Sequence, residues 1–505
     1  MNRRLVALTL SLASSLALGA EPLGEPLTWG ADAQGGAPYV FQDPMEPNRL
    51  TGFEVELATL LGQRMGRQAR PVHGPWDKLL ELLARGDFDL VINGIEVAEE
   101  KKRVVELSRP YFATSEVLTI RKGDTAAPRT LEALAGKKVG TLPGSMAARI
   151  LERAGADVRT YEGGQDEIYD DLKLGRTDAV LLDEPVAHYY GDLEPSFESV
   201  RGDFGTVQYA IAVRLGEADL LGQVNKALES LEKDGSLRKL YEKWGIWSPE
   251  TAKLFGDTTP PSSAPSIEFE KWRAAVGALP SLWERITTRY PAMLPMFAVG
   301  AGLTLLVSLC SMALAILLGI SLALGRRFGP RPLRWLCILY IEFFRGTPLL
   351  VQLTIVYFGL PELGLKLNPF VAGVIALGLN YAAAEAENYR AGLESVPMGQ
   401  QEAAGVLGLS TWQTLRLVIG PQALRISIPP MTNDFIALLK DSSLVSIVTL
   451  TELTKTYTNL ANSTRDHLGL GLVVAAFYLL IGLPFARLAR KAEEHFGRHL
   501  KRGPA

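Results

Sequence analysis

The sequence predicts an α/β domain joined to an all-α membrane domain of five spans, and three observations carry that expectation. Short apolar strands alternate with amphipathic helices from Leu27 to Trp247, the pattern of an open sheet covered by helices. Apolar residues, 47% of the 505, concentrate after residue 290 in runs long enough to cross a bilayer. Basic residues gather after the first and last of those runs, as cytoplasmic flanks do. Lys and Arg number 52 against 55 Asp and Glu, a net charge of -3, so the composition gives no support for a nucleic-acid partner.

Residues 1–20 read as a secretory signal: Arg3 and Arg4 precede an apolar run from Leu5 to Leu18, and Gly19 and Ala20 come next. Cleaved or kept as an anchor, the segment directs export of the residues after it, so 25–247 are expected outside the membrane. Within them, "GFEVELATLLGQRMG" sets Phe53, Leu57, Leu60 and Leu61 on one helical face. "DKLLELLARG" predicts a second helix and "DFDLVING" a strand after it; "GKKVGTLPG", "SMAARILERAG" and "TDAVLLD" continue the alternation. Ligands of open α/β sheets sit at strand carboxyl ends. That singles out Asn93 to Glu96, Gly144 to Met146, and Asp183.

"SPETAKLFGDTTPPSSAPS", residues 248–266, is rich in Pro, Ser and Thr and reads as a tether. With the amphipathic piece after it, it makes a linker and pre-membrane segment over 248–290. A membrane domain is expected over 291–490. The runs 295–324, 333–360, 369–389 and 468–488 are long enough to span, and 429–451 counts as a fifth although Lys440 and Asp441 interrupt it. Arg326, Arg327, Arg331 and Arg334 come after the first run; Arg487 and Arg490 come after the last, with Lys491, Arg498, Lys501 and Arg502 in a cytoplasmic tail, 491–505. Five spans put both clusters in the cytoplasm, and four would not. Cys310 and Cys337 lie in apolar stretches and read as packing residues. His73, His188, His467, His495 and His499 have no metal-ligand spacing and no nucleophile elbow occurs, so neither cofactor nor catalysis by this chain is implied.

"LTGFEVELATLLGQRMG", "WDKLLELLARGDFDLVING", "SRPYF", "TLEALAGKKVGTLPGS", "DAVLLDEPVAHYY" and "VNKALESLEKDGSLRKLYEKWG" resemble, in order, the periplasmic solute-binding proteins of polar amino-acid ABC transporters, of the glutamine/histidine/arginine type. The resemblance implies a two-lobed periplasmic-binding-protein fold, with crossings near "ATSEVLTIRKG" and "TVQYAIAVR" and a free amino acid clamped between the lobes. Position by position, Trp76 matches the aromatic on the ligand side chain, against an ordinary core tryptophan. Asp183 matches the carboxylate for the α-ammonium, against a helix N-cap before Glu184 and Pro185. Ser145 matches a hydroxyl at a helix start that holds the ligand carboxylate. Asp32 and Tyr39 fall in the first ligand loop, where Gly36 replaces the family's aromatic. Asn93 and Gly94 lead to Glu96, where the family has a hydroxyl residue, and Lys101 stands where it has a carboxylate-binding Arg. Glu96 either leaves the cleft net acidic, favouring a ligand with extra positive charge or a polar zwitterion, or pairs with Lys101.

"FFRGTPLLVQL", "NYAAAEAENYRAGLESVP", "MTNDFIALLKDSSLVSIV" and "EAAGVLGLSTWQTLRLVIGP" resemble the amino-acid branch of ABC permeases, over residues 295–490. The last stretch matches the family's EAA loop through Glu402, Ala403, Ala404 and Gly408, with Gly420 in place of the usual Leu before Pro421. The resemblance implies two short cytoplasmic helices turning at Gly408 that dock separate ABC ATPase subunits, against a merely structural loop. No G-x-x-x-x-G-K-[ST] occurs in this chain. It implies also a homodimer of the permease domain. Glu385 and Glu387 either line the pathway or sit at the interface, with Glu387 able to pair with Arg390. The chain then reads as the multi-pass inner-membrane subunit of an importer that captures a polar amino acid outside and passes it through its own permease domain. The alternative is a ligand-gated channel or amino-acid receptor on the same binding fold. Against the channel, the binding fold runs uninterrupted to Trp247 and no TVGYG-like filter occurs; against the receptor, no kinase or methyl-accepting helix comes after the last span.

Overall fold

The computed structural model describes residues 24–34, 36–161, 164–260, 265–277 and 280–497. The expected signal segment and the end of the basic tail lie outside the described residues. The chain divides into two compact units, one of residues up to 40 with 51–273, the other of residues 41–50 with 274 onward.

One eight-stranded sheet runs through the first unit. Its strands are β1 (Gly24–Ala31), β2 (Arg67–His73), β3 (Leu90–Val91), β4 (Glu106–Arg121), β5 (Lys138–Thr141), β6 (Asp157–Thr160), β7 (Ala179–Asp183) and β8 (Phe197–Val213). Their order is β2-β1-β3-β8-β4-β7-β5-β6. β1 pairs in parallel with β2 and β3, and β5 with β6 and β7, so each end of the sheet carries its own parallel group. Between them β4 and β8, 16 and 17 residues long, run antiparallel and belong to both groups. These are the two expected crossings. Their register shifts between Arg201 and Thr206 and again after Tyr209, and such irregularities bend a strand where a lobe boundary needs it.

The helix Phe53–Arg64 buries Phe53, Leu57 and Leu61 in the first lobe, as its periodicity required. The helix Met146–Arg153 puts Ala147 and Leu151 into the second lobe's core, beside Leu118, Val139 and Leu181. Both leave their N-termini at strand carboxyl ends, facing the division between the lobes.

The first part of the expected tether, Ser248 with Pro249–Phe255, is packed. Ser248 caps the helix Pro249–Phe255 by accepting the Thr251 N–H at 3.2 Å, and the Thr251 hydroxyl donates to the Ala113 carbonyl of β4 at 2.6 Å. Pro249 at the first helical position suits that start, so Ser248 and Pro249 act there as helix-start signals. Further on, the helix Ile267–Val276 stacks Phe269 on His188 at 4.0 Å, and Trp272 Nε1 donates to the Tyr189 carbonyl at 3.1 Å. Trp272 is buried there, with Phe269 half-buried beside it.

The second unit is helical. By length and composition, three of its helices can cross a membrane among the described residues: Leu282–Phe328, Pro369–Glu394 and His467–Lys491. A fourth candidate, Arg331–Gly346 with Leu349–Leu363, is bent by 106°. Pro348 forces that bend, because the residue before a proline is pushed out of the helical region, and Thr347 is extended (φ -117°, ψ 145°). The expected span 429–451 does not pass the same test. Its helix starts earlier, at Gly420, carries Pro429 and Pro430, and ends at Asp441, where a 3₁₀ segment Ser442–Val448 takes over. Three to four spans are therefore evident, short of the expected five. The helices Tyr290–Phe328 and Pro369–Glu394 pack closely through small residues. A Cβ on Gly378 would lie 2.7 Å from Leu314, and one on Gly319 2.7 Å from Glu385 Cβ.

Candidate functional site

Asp183 ends β7 at the division between the lobes and is buried. Its Oδ2 accepts the Tyr39 hydroxyl, from the first lobe, and the Tyr209 hydroxyl, from β8, at 3.0 Å. The two phenol rings meet edge to face at 5.9 Å. Asp183 stands at the N-cap position of the short helix after it, but no side-chain bond caps that helix. Burial pushes its carboxyl up to about 7, against the lowering effect of the Tyr209 bond.

Three loops at strand ends are tied together in the first lobe. The Asp32 N–H donates to Asn93 Oδ1 at 2.5 Å, and the Asp32 carboxylate accepts the N–H groups of Gln34 at 2.9 Å and Trp76 at 3.0 Å. Trp76 Nε1 donates to the Asn93 carbonyl at 2.9 Å. Trp76 is thus held by bonds at its edge and stays partly exposed, with Lys101 Nζ 5.6 Å from its ring centroid. Gly94 takes a left-handed φ of +59° and its N–H donates to Glu54 Oε1 at 2.7 Å. Glu54 also accepts the Tyr111 hydroxyl, and burial raises its carboxyl to about 7.

Glu96 joins the lobes. Its Oε1 accepts the N–H of Met146, the first residue of the helix Met146–Arg153, at 2.6 Å, and its Oε2 accepts from Arg149 Nη2 at 2.7 Å. Lys101 Nζ lies 3.4 Å from the same Oε2, so the expected internal pair exists and Arg149 adds to it. Burial depresses the Lys101 ammonium while Glu96 supports it. Ser145 caps that helix, accepting the Ala148 N–H at 3.1 Å and donating to the Leu142 carbonyl at 2.8 Å. An anion held at a helix N-terminus and by a guanidinium is well stabilised. Here the anion is the protein's own.

In the second unit the helix Met398–Val406 ends before Gly408 (φ +79°), and Ser410 starts the next turn through a capping box with Gln413. The two short helices turn at Gly408, as expected. Ala404 is buried, while Glu402, Ala403 and Gly408 are exposed. Val406 is 89% exposed and Leu407 79%, an apolar tip on a segment anchored by Ile419 and Ala423 against Leu393 and Val396. Glu387 bonds to Arg326 and Arg390, the latter at 2.8 Å, whereas Glu385 is buried against Gly319 with neither oxygen in a hydrogen bond of good geometry.

Residues 27–246 match the bacterial extracellular solute-binding proteins, family 3, and residues 315–496 match the binding-protein-dependent transport system inner membrane component. The probable amino-acid ABC transporter permease protein YckA of Bacillus subtilis (strain 168) is 37% identical over 219 residues, 42% of this chain and 97% of that protein. The glutamine transport system permease protein GlnP of Escherichia coli (strain K12) is 35% identical over 206 residues, 40% of this chain and 94% of that protein. The L-cystine-binding protein TcyJ of the same strain is 35% identical over 210 residues, 41% and 78% respectively. The chain belongs to the amino-acid ABC importers.

The importer carries its solute-binding domain and its permease domain in one inner-membrane polypeptide, with the binding domain of the extracytoplasmic type. Asp32, Trp76 and Asn93 form one bonded group, Tyr39 and Asp183 another, and Glu96 and Lys101 a third, with Gly94 and Ser145 bonded beside them. Sequence reasoning missed Tyr209 and Arg149. Arg149 had a signal, being one turn beyond Ser145 on the same helix; Tyr209 had none, because a crossing strand's alternation does not say which face meets Asp183.

Proposed function

We propose that this importer subunit closes its two lobes on a free polar amino acid, with Asp183 as the acceptor of the α-ammonium. The observation that carries the reading is the buried Asp183 carboxylate at a strand end, reached by Tyr39 and Tyr209. An arriving ammonium replaces neutral phenol bonds with a charge-assisted one, roughly twice as strong. The ligand carboxylate goes to the Ser145 helix start, to Lys101 and to Arg149, displacing Glu96. Trp76 offers its free face to the ligand side chain; Asp32, Asn93 and Gly94 hold the loops that place it.

The bound amino acid passes to the permease domain, expected over 291–490, with 25–247 as the binding domain. Five crossings, with the bent pair at Thr347-Pro348 and the Gly420–Val448 segment as polar protein-lined ones, put both basic clusters in the cytoplasm. The exposed tip at Val406 and Leu407 beside Glu402 then docks a separate ATPase. Two copies of the permease domain enclose the pathway. Of the two pathway candidates Glu385 is the better, because both oxygens of Glu387 are taken up by arginines. Calorimetry on the full chain in nanodiscs against the common amino acids tests the reading. At least one binder is expected, and no heat or thermal shift across the whole set overturns it.

A further inference from the structure

Glu116 on β4 lies directly opposite Asp183 in the antiparallel register with β7. Opposite residues of such a pair put their side chains on the same face of the sheet. Glu116 is 3% exposed, and its Oε2 has no hydrogen-bond partner among the described residues. A buried carboxylate oxygen left unpaired is costly, and such a group in a native fold points to a missing partner.

The cations nearby are already engaged. Arg149 is bonded to Glu96 at 2.7 Å, to Glu100 at 3.2 Å and to the Gly144 carbonyl at 3.1 Å. Lys101 lies on Glu96 and over Trp76. Asp183 holds two phenols, one of them Tyr209, which feels the charges of Asp183, Glu116 and Glu96 together. Glu96 and Glu100 thus take up both cations, Lys101 and Arg149, and leave none for Glu116. The side chain of a neutral amino acid brings no charge to pair with an ionised Glu116; a cationic side chain does.

We propose that Glu116 determines specificity, taking the ammonium or guanidinium on the side chain of a cationic amino acid whose α-ammonium goes to Asp183. This rests on the reading of Asp183 given above. Burial and the nearby Glu96 push the Glu116 carboxyl up to about 8, with Arg149 pulling the other way, so the site holds a proton until the cation arrives. Binding a cationic ligand near pH 7 then releases that proton.

The test is calorimetry on the full chain in nanodiscs, with arginine, ornithine, glutamine and cystine, in two buffers of different ionisation heat. Arginine or ornithine binds at least about 30-fold more tightly than glutamine, the scale of an unpaired buried charge. Glu116→Gln removes that preference and the associated proton release, and an unchanged cooperative thermal unfolding of the variant shows that it is folded. Glu116→Asp, which keeps the charge, retains part of the preference. Preferred binding of glutamine or cystine by the unaltered chain, or a cationic preference that survives Glu116→Gln, overturns the assignment. Absence of binding by arginine and ornithine overturns it, and the amino-acid reading falls with it only where the whole set of common amino acids also fails to bind; glutamine binding without a cationic preference overturns it alone.

Discussion

Tyr39 and Asp183 stand 144 residues apart in the chain and on different lobes, yet the tyrosine hydroxyl donates to the buried carboxylate. The bond spans the division at which a ligand is to be clamped. With the Glu96 bridge to Met146 and Arg149, it holds the lobes together through groups that a ligand's own ammonium and carboxylate would engage.

If Asp183 holds the α-ammonium, removing it leaves a buried cation without its partner, a loss of about 2–5 kcal/mol. Asp183→Ala should therefore weaken amino-acid binding by at least about 30-fold, measured by calorimetry on the full chain. Co-purification with the partner ATPase should be unchanged. Binding within threefold of the unaltered chain, at about 0.7 kcal/mol or less, would remove Asp183 from the site.

The pH response has a definite sign. Burial raises Asp183 and Glu54 to about 7 from their ordinary values of 3.8 and 4.5, with Tyr209 and Tyr111 opposing, and Glu184 adding to the effect at Asp183. Between those limits the folded state binds more protons than the unfolded one, so stability falls as pH rises from about 4 to about 7. The ligand-free binding unit should melt at higher temperature at pH 5 than at pH 8, measured by differential scanning calorimetry on the full chain. Affinity should change the other way, rising with pH through about 7, because the ammonium needs an ionised Asp183. A melting temperature that rises with pH, or an affinity flat across it, contradicts the assignment.

The fold of the binding unit was legible because its helices obey a 3.6-residue period and its strands end on recognisable turns: Phe53, Leu57 and Leu61 lie where their spacing placed them. At the start of the expected tether, Ser248 and Pro249 begin a helix, because Pro and Ser start helices as readily as they fill linkers, and the Thr251 bond to Ala113 decides between those roles there. The 429–451 run fits its expected bounds poorly for another reason. Hydropathy averages over residues, whereas the helix there is set by Gly420 at one end and the break after Asp441 at the other. In the cleft, strand-end logic reached Asp183 and Glu96, but Glu116 is mid-strand, and nothing in its sequence neighbourhood separates it from a solvent-facing residue.

Trp272 offers a check on the linker. It is buried, donates to the Tyr189 carbonyl, and packs near Tyr190. Truncating such a side chain costs about 3–5 kcal/mol where the site cannot collapse. Trp272→Ala should release residues 256–277, seen as faster cleavage there under limited proteolysis. Amino-acid affinity should hold. An unchanged digestion pattern would mean that the segment is not anchored.

Glu402 supplies the test that separates import from signalling or channel activity. It is exposed on the helix Met398–Val406, one turn from the apolar tip at Val406 and Leu407, and the segment is anchored from beneath by Ile419 and Ala423. A surface change there leaves the fold within about 0.5 kcal/mol, so a loss of function reports on docking. Glu402→Lys reverses a charge at the rim of an apolar contact, which slows association and repels a partner surface built to meet an acid. Uptake of the amino acid and ligand-stimulated ATP hydrolysis by the reconstituted complex should fall at least about tenfold, a cost of roughly 1.4 kcal/mol, while calorimetry on the same variant gives unchanged ligand affinity. Asp183→Ala should give the reverse pattern, with ligand binding lost and ATPase association kept. Normal uptake and association with Glu402→Lys would strip the loop of its coupling role, and loss of ligand binding alone in both variants would favour a receptor or channel over an importer.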